Sequence, residues 1–88
     1  MDSCRIEFRK AAEKDLRRIA STHLPRLVEA IGALAVNPLP PNFRKLANGE
    51  HTYRIRVGDY RVVYEFHSQR RLIIVDRVRH RREVYRDL

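Results

Sequence analysis

At 88 residues the chain has the length of one small domain, and 19 Lys and Arg against 11 Asp and Glu give it a net charge of +8. With 43% hydrophobic and 34% charged residues, three glycines and four prolines, the composition excludes a disordered, collagenous or fibrous chain, and the length excludes a multidomain enzyme. The basic residues are 16 Arg and only 3 Lys. Arg presents a planar fork of donors that fits phosphate oxygens, so this bias points to a polyanionic partner: nucleic acid, an anionic membrane surface or an acidic protein. The single cysteine, Cys4, excludes an intrachain disulfide, and no apolar run approaches the roughly 20 residues that span a bilayer. The expected setting is therefore reducing and cytoplasmic, with no membrane partner.

In chain order, Cys4, Ile6 and Phe8 alternate with Ser3, Arg5 and Glu7, which predicts a strand over Ser3–Phe8 with one wet side. From Lys10 the spacing becomes helical, with Ala12, Leu16, Ile19 and Ala20 on one stripe. A second helix is expected after Pro25, which suits a first turn; its stripe is Leu27, Val28, Ile31, Leu34 and Ala35. Asn37 and Pro38 end it. A connector follows, with a short strand at Phe43–Leu46 and a turn signal at Asn48-Gly49.

The most informative stretch is His51 to Arg77. Tyr53, Ile55 and Val57 alternate with Arg54 and Arg56, Gly58-Asp59 forms a tight turn, and Tyr60, Val62, Tyr64 and Phe66 alternate with Arg61, Val63 and Glu65. A two-residue loop pairs Val57 with Tyr60, Ile55 with Val62 and Tyr53 with Tyr64. It also sets Arg56 across from Arg61 on the opposite face, where like charges oppose each other. That juxtaposition reads as a phosphate cradle on a face that the helices leave uncovered. Leu72–Val78 reads as a well-buried last strand, and a loop of Ser68 and Gln69 places Asp76 opposite Arg61. The chain then runs through Arg79, His80, Arg81 and Arg82 to Tyr85, extending the basic cluster. A phenol has a pKa of about 10, and several nearby guanidinium groups favour its phenolate, so Tyr85 is a candidate base. The other histidines, His23, His51 and His67, have no zinc-site spacing, and one cysteine does not supply it. Neither a metal nor another cofactor is expected.

The run Tyr53-Arg54-Ile55-Arg56-Val57, the turn and strand Gly58-Asp59-Tyr60-Arg61-Val62-Val63-Tyr64, and the terminal His80-Arg81-Arg82-Glu83-Val84-Tyr85 together resemble the RelE/ParE superfamily of bacterial toxins. The resemblance covers essentially the whole chain, as one RelE-like domain over 1–88. It implies an α+β fold, with two helices from the N-terminal half packed on one face of a small twisted antiparallel sheet. In the RelE branch it implies metal-independent cleavage of messenger RNA on the 70S ribosome, by attack of a ribose 2′-hydroxyl on the adjacent phosphate. The ParE branch instead inhibits DNA gyrase and lacks most of the catalytic set. A ribosome- or nucleic-acid-binding protein without turnover is the remaining alternative.

Carried over residue by residue, the resemblance makes Tyr85 the general base, Arg61 the stabiliser of the phosphorane and Arg81 the group at the leaving oxygen. Arg82 is an alternative for that last place. Arg54 and Arg56 stand where lysine is common; they cannot act as bases, and with Arg79, His80 and Arg82 they are expected to hold RNA phosphates. The implied partner is an antitoxin with an acidic segment, in a toxin–antitoxin hetero-oligomer.

Overall fold

Alternation at the start of the chain gives way to helical spacing after Phe8 in the computed structural model, which describes residues 3–47 and 49–82. Strand β1 (Arg5–Phe8) leads into helix α1 (Lys10–Arg17), helix α2 (Leu24–Ala33) and a two-residue strand β2 (Arg44–Lys45). Strands β3 (Thr52–Val57), β4 (Tyr60–His67) and β5 (Leu72–His80) follow. They form one sheet in the order β1-β5-β4-β3-β2. The expected antiparallel pairing holds from β2 to β5, whereas β1 lies parallel to β5, from Arg5 opposite Leu72 to Phe8 opposite Val75. A parallel pair needs a crossover too long for a hairpin; both helices and the intervening strands provide it here.

Both helices turn their apolar stripes to the same side of this sheet. Ala12 of α1 and Leu27, Ile31 and Leu34 at the end of α2 meet Ile55, Val62, Tyr64, Ile73, Val75 and Val78 in one buried cluster. Each fully buried aliphatic side chain contributes about 1.5–3 kcal/mol relative to exposure. Pro25 occupies the first turn of α2. Two details differ from the periodicity: Val28, expected on the stripe, is 56% exposed, because Leu27, Ile31 and Leu34 define a narrower stripe. Helix α1 also stops at Arg17, although Ile19 beyond it still packs on the core. The buried Tyr64 hydroxyl donates to the Pro38 carbonyl at 2.6 Å. Burial raises that phenol's pKa, with Tyr53 adding to the shift, so the hydroxyl stays a donor and ties the connector to the sheet.

The β4–β5 register departs from expectation by three residues. Arg61 faces Arg79, and Asp76 does not face Arg61. Two causes combine. The connection is a turn of 3-10 helix at Ser68–Arg70 followed by Arg71 in the left-handed region (φ 49°), so four residues separate the strands and not two. A bulge then lies between the pairs Tyr64–Val75 and Val63–Arg77, which leaves Asp76 as the extra residue. Bulges of this kind bend a strand and re-aim its side chains.

Strand β1 ends at Phe8, and the rest of the β5 edge is taken over by α1. Asp15 accepts hydrogen bonds from the Val78 amide at 2.9 Å, from Arg77 Nε at 2.9 Å and from Arg77 Nη2 at 3.1 Å. Burial raises the Asp15 pKa, but the Arg77 guanidinium and the Val78 amide outweigh it and hold the carboxyl below its ordinary value. Its stabilising contribution is therefore present above the usual carboxylate pKa and is lost as the pH falls through the lowered one. Asp15→Ala leaves both the amide and the guanidinium without this acceptor. In urea denaturation at neutral pH it is expected to cost about 2–3 kcal/mol; a loss within 0.5 kcal/mol, a rough limit for surface substitutions, would show that the clamp holds nothing in place.

A candidate nucleic-acid interface

On the sheet face opposite the helices, strand register alone brings arginines from four strands together. Arg56 faces Arg61 across the hairpin, and Arg61 faces Arg79 across the next pair, so one rung of the sheet carries three guanidinium groups. The neighbouring rung runs from Arg44 to Arg54, Val63 and Arg77. Adjacent strands lie about 4.8 Å apart, which is close enough for one phosphodiester to engage two neighbours. The turn that fixes the first rung needs Gly58, whose φ of 61° lies in the left-handed region. The Arg81 amide donates to the Asp59 carbonyl at 2.7 Å. That bond holds Arg81 and Arg82, both exposed, at the hairpin-tip end of the sheet.

These residues wall a depression of about 570 Å³ lined by Asn42, Phe43, Arg44, Arg54, Arg56 and Arg61 among others. Asn42 steadies its rim by donating from Nδ2 to the Arg56 carbonyl at 3.0 Å. Arg61 is the deepest cation, only 3% exposed. Its Nη1 reaches the Tyr60 carbonyl at a long 3.5 Å. Among the described residues, no carboxylate forms an ion pair with Arg44, Arg54, Arg56 or Arg61. Burying a cation without a counter-charge is costly, so the arrangement is suited to an anion that the described residues do not supply.

Of the residues singled out from the sequence, Arg54, Arg56, Arg61 and Arg79 thus share one face. Arg81 and Arg82 adjoin it. His80 does not: it pairs with Tyr60, and its ring stands 5.5 Å from the Tyr60 ring at 85°. The parity of β5 explains this, since Val78 and His80 point to the helix side and Arg79 between them to the other. Tyr85 lies outside the described residues. Arg44 is an addition. The expected Phe43–Leu46 strand contained the signal, but its partner was not identified, and the pairing with β3 is what sets Arg44 beside Arg54.

The other end of the same face has the opposite character. Arg9 donates from Nε to Asp76 at 2.9 Å and from Nη2 to Glu65 at 3.1 Å, and a ring nitrogen of His67 lies 3.0 Å from Glu65. Burial pushes the Asp76 carboxyl up to about 6, assisted by its hydrogen bond with Glu65 and opposed by Arg9. For Glu65 burial acts in the same direction, but hydrogen bonds with Asp76, His67 and Arg9 outweigh it and bring the carboxyl to about 2. Two carboxyls in contact share one proton in this way. Among the described residues no three His, Cys, Asp or Glu side chains converge as metal ligands would.

Residues 6–85 match the family model described as the ParE toxin of the type II toxin-antitoxin system, parDE. The chain belongs to the RelE/ParE toxin superfamily. Within that superfamily it is similar to toxin RelG of Mycobacterium tuberculosis, 33% identical over 92% of this chain and 94% of that one. It is also similar to putative toxin RelE1 of Methanocaldococcus jannaschii, 29% identical over 93% and 94%. Among solved structures, the archaeal RelE-RelB complex from Pyrococcus horikoshii has a chain that superposes with a TM-score of 0.80 at 27% identity, covering 90% of this chain and 96% of that one. The RelE/ParE match and the superposition agree with the fold inferred from the hairpin and its flanking helices.

The carboxyl pair makes stability depend on pH in a defined direction. Between its ordinary value of 3.8 and about 6, Asp76 keeps in the native state a proton that the unfolded chain has released. Stability contributed there declines as the pH rises through that window. Asp76→Asn retains a neutral, hydrogen-bonding group and removes the titration. Urea midpoints taken from pH 4 to pH 7 are expected to drop for the parent relative to this variant by the equivalent of about 2 kcal/mol; parallel profiles would mean that Asp76 titrates normally.

Proposed function

We propose that the arginine face binds the backbone of messenger RNA in the ribosome and promotes its cleavage, making the chain a ribosome-dependent endoribonuclease of the RelE type. The observation that carries this reading is the rung Arg56–Arg61–Arg79, in which Arg61 is buried and neither Arg56 nor Arg61 has a carboxylate paired to it among the described residues. Arg61 is placed to meet charge that develops on a phosphorane, because a cation already oriented in a shielded site needs no reorganisation when that charge appears. Arg54 and Arg56, with Arg44 beside them, hold the flanking phosphates. Tyr85 takes the proton from the attacking 2′-hydroxyl; as the bond from phosphorus to the 5′-oxygen breaks, Arg81 stabilises that departing oxygen, which takes its proton from water because a guanidinium does not give one up. The products are a 2′,3′-cyclic phosphate and a 5′-hydroxyl. His80, on the helix side of the sheet, takes no part in this set.

Outside the cell's translation machinery the partner is an antitoxin, as the RelE-RelB complex of the archaeal relative suggests. Its contact with the arginine face is acidic, supplying carboxylates to Arg44, Arg54, Arg56 and Arg61, which have none paired to them among the described residues. Affinity measured by calorimetry is expected to weaken markedly between low and high salt; a salt-independent constant would place the antitoxin elsewhere.

The ParE description of the matching model favours a second reading, inhibition of gyrase without RNA cleavage. Tyr85→Phe separates the two. Single-turnover cleavage on programmed ribosomes at saturating protein is expected to fall by roughly two to four powers of ten, the range for loss of a positioned base, while ribosome affinity is kept. Arg61→Ala is expected to lower both cleavage and binding. Near-normal cleavage by Tyr85→Phe removes the phenol from the chemistry. No cleavage by the parent, together with inhibited supercoiling by gyrase, replaces the nuclease reading with the ParE one.

A further inference from the structure

The hairpin tip carries a second set of side chains, on the side of the sheet away from the arginine depression. His23 before α2, Tyr60 at the start of β4 and His80 at the end of β5 form a row of three rings. His23 and Tyr60 have centroids 5.7 Å apart at 52°, and Tyr60 and His80 have centroids 5.5 Å apart at 85°. A crevice of about 180 Å³ opens among them, bordered also by Arg26, Gly58 and Asp59. On the far side of the Tyr60–His80 pair lies a cleft of about 500 Å³ walled in part by Arg18 and Arg79. Tyr60 packs against the core, but His23 is exposed and lies outside the core cluster, so apolar packing does not account for its position against the tyrosine.

Gly58 borders both this crevice and the arginine depression. Gly58 carries no side chain of its own, and Arg26 Nη1 lies 3.7 Å from where a Cβ would stand, so a strand leaving the arginine face can cross the tip over this glycine and past that guanidinium. We propose that the His23–Tyr60–His80 row is a stacking subsite for an unpaired nucleobase of the same strand whose phosphates lie on the arginine face. This inference rests on the RNA reading of that face. Rings that meet at steep angles leave π-faces and gaps between them, and base–aromatic stacking tolerates any sequence because every base has a π-face. Arg26 and Arg18 flank the rings on either side, where the phosphates joined to a stacked base would pass. Asp59 disfavours a phosphate inside the crevice and can accept a hydrogen bond from a base amino group. The subsite requires a single strand, since a duplex keeps its bases stacked on one another.

The test uses the full chain with a fluorescently labelled single-stranded RNA 12-mer and with an abasic ribose-phosphate 12-mer of the same charge. His23→Ala alters an exposed residue, and unchanged thermal unfolding verifies that the fold is kept. It is expected to weaken the base-containing strand about fivefold to tenfold, within the range for loss of one stacked base, and to leave the abasic strand unchanged. His23→Tyr restores the affinity. Arg56→Ala, by contrast, is expected to weaken both strands alike. Equal affinities of the parent and His23→Ala for the base-containing strand, with Arg56→Ala still weakened, overturn the subsite and leave the RNA reading standing. Equal weakening of both strands by His23→Ala also overturns it, since the loss is then one of charge or shape and not of stacking. No effect of Arg56→Ala on either strand overturns the RNA reading and the subsite together.

Discussion

One extra residue in β5 governs how the sheet's polar face is arranged. Had β5 paired with β4 without the bulge, residues beyond Asp76 would have kept the alternation set by Ile73 and Val75, and Val78 would have turned away from the helices. The bulge restores Val78 to the core and leaves Asp76 and Arg77 both opposite Val63. From that local irregularity follow the contact of Arg77 with α1 and the placement of Arg79 beside Arg61. The ladder is interrupted at one point, and the interruption separates the half of the face that holds Glu65 and Asp76 from the half that holds Arg54, Arg56 and Arg61.

That separation has an electrostatic logic. Where Glu65 and Asp76 lie, Arg9 neutralises them and the charges are locally satisfied. At the hairpin end, Arg56 and Arg61 oppose each other, with no carboxylate paired to either among the described residues. Like-charge cross-strand pairs weaken a hairpin, so the hairpin's stability has to come from elsewhere. The apolar pairs Ile55–Val62 and Tyr53–Tyr64 on the opposite side supply it, the tyrosine rings lying 5.9 Å apart. Each strand thus contributes cohesion with one set of alternate residues and repulsion with the other.

Much of this was legible in the amino-acid sequence because it depends on short-range alternation. The Gly58-Asp59 turn determined every pair between β3 and β4, and with them the common face of Arg54, Arg56 and Arg61. Long-range choices were less visible. Nothing local distinguishes a two-residue loop at Ser68-Gln69 from the four-residue connection that forms, and the continuous apolar run Leu72-Ile73-Ile74-Val75 carries no alternation against which a bulge at Asp76 would show. The face of His80 depended on the bulge, because a loop longer by two residues keeps the alternation in phase whereas one extra residue inverts it. The parallel alliance of β1 with β5 is likewise a contact between the ends of the described chain, beyond the reach of any pattern within a segment. Arg44 was missed because a two-residue strand carries too little periodicity to announce its partner.

The brevity of β2 has a further consequence. A sheet edge exposes backbone donors and acceptors to any extended chain that drifts against it, and long flat edges are where proteins polymerise. Here that edge is Arg44 and Lys45 alone, both exposed and both positively charged. A second copy approaching to add its own β2 would bring two more cations against these within a strand spacing, with only two residues of ladder to hold it. The chain can therefore accumulate during synthesis with little tendency to stack edge to edge through β2, even though the face beside that edge is built to attract polyanions.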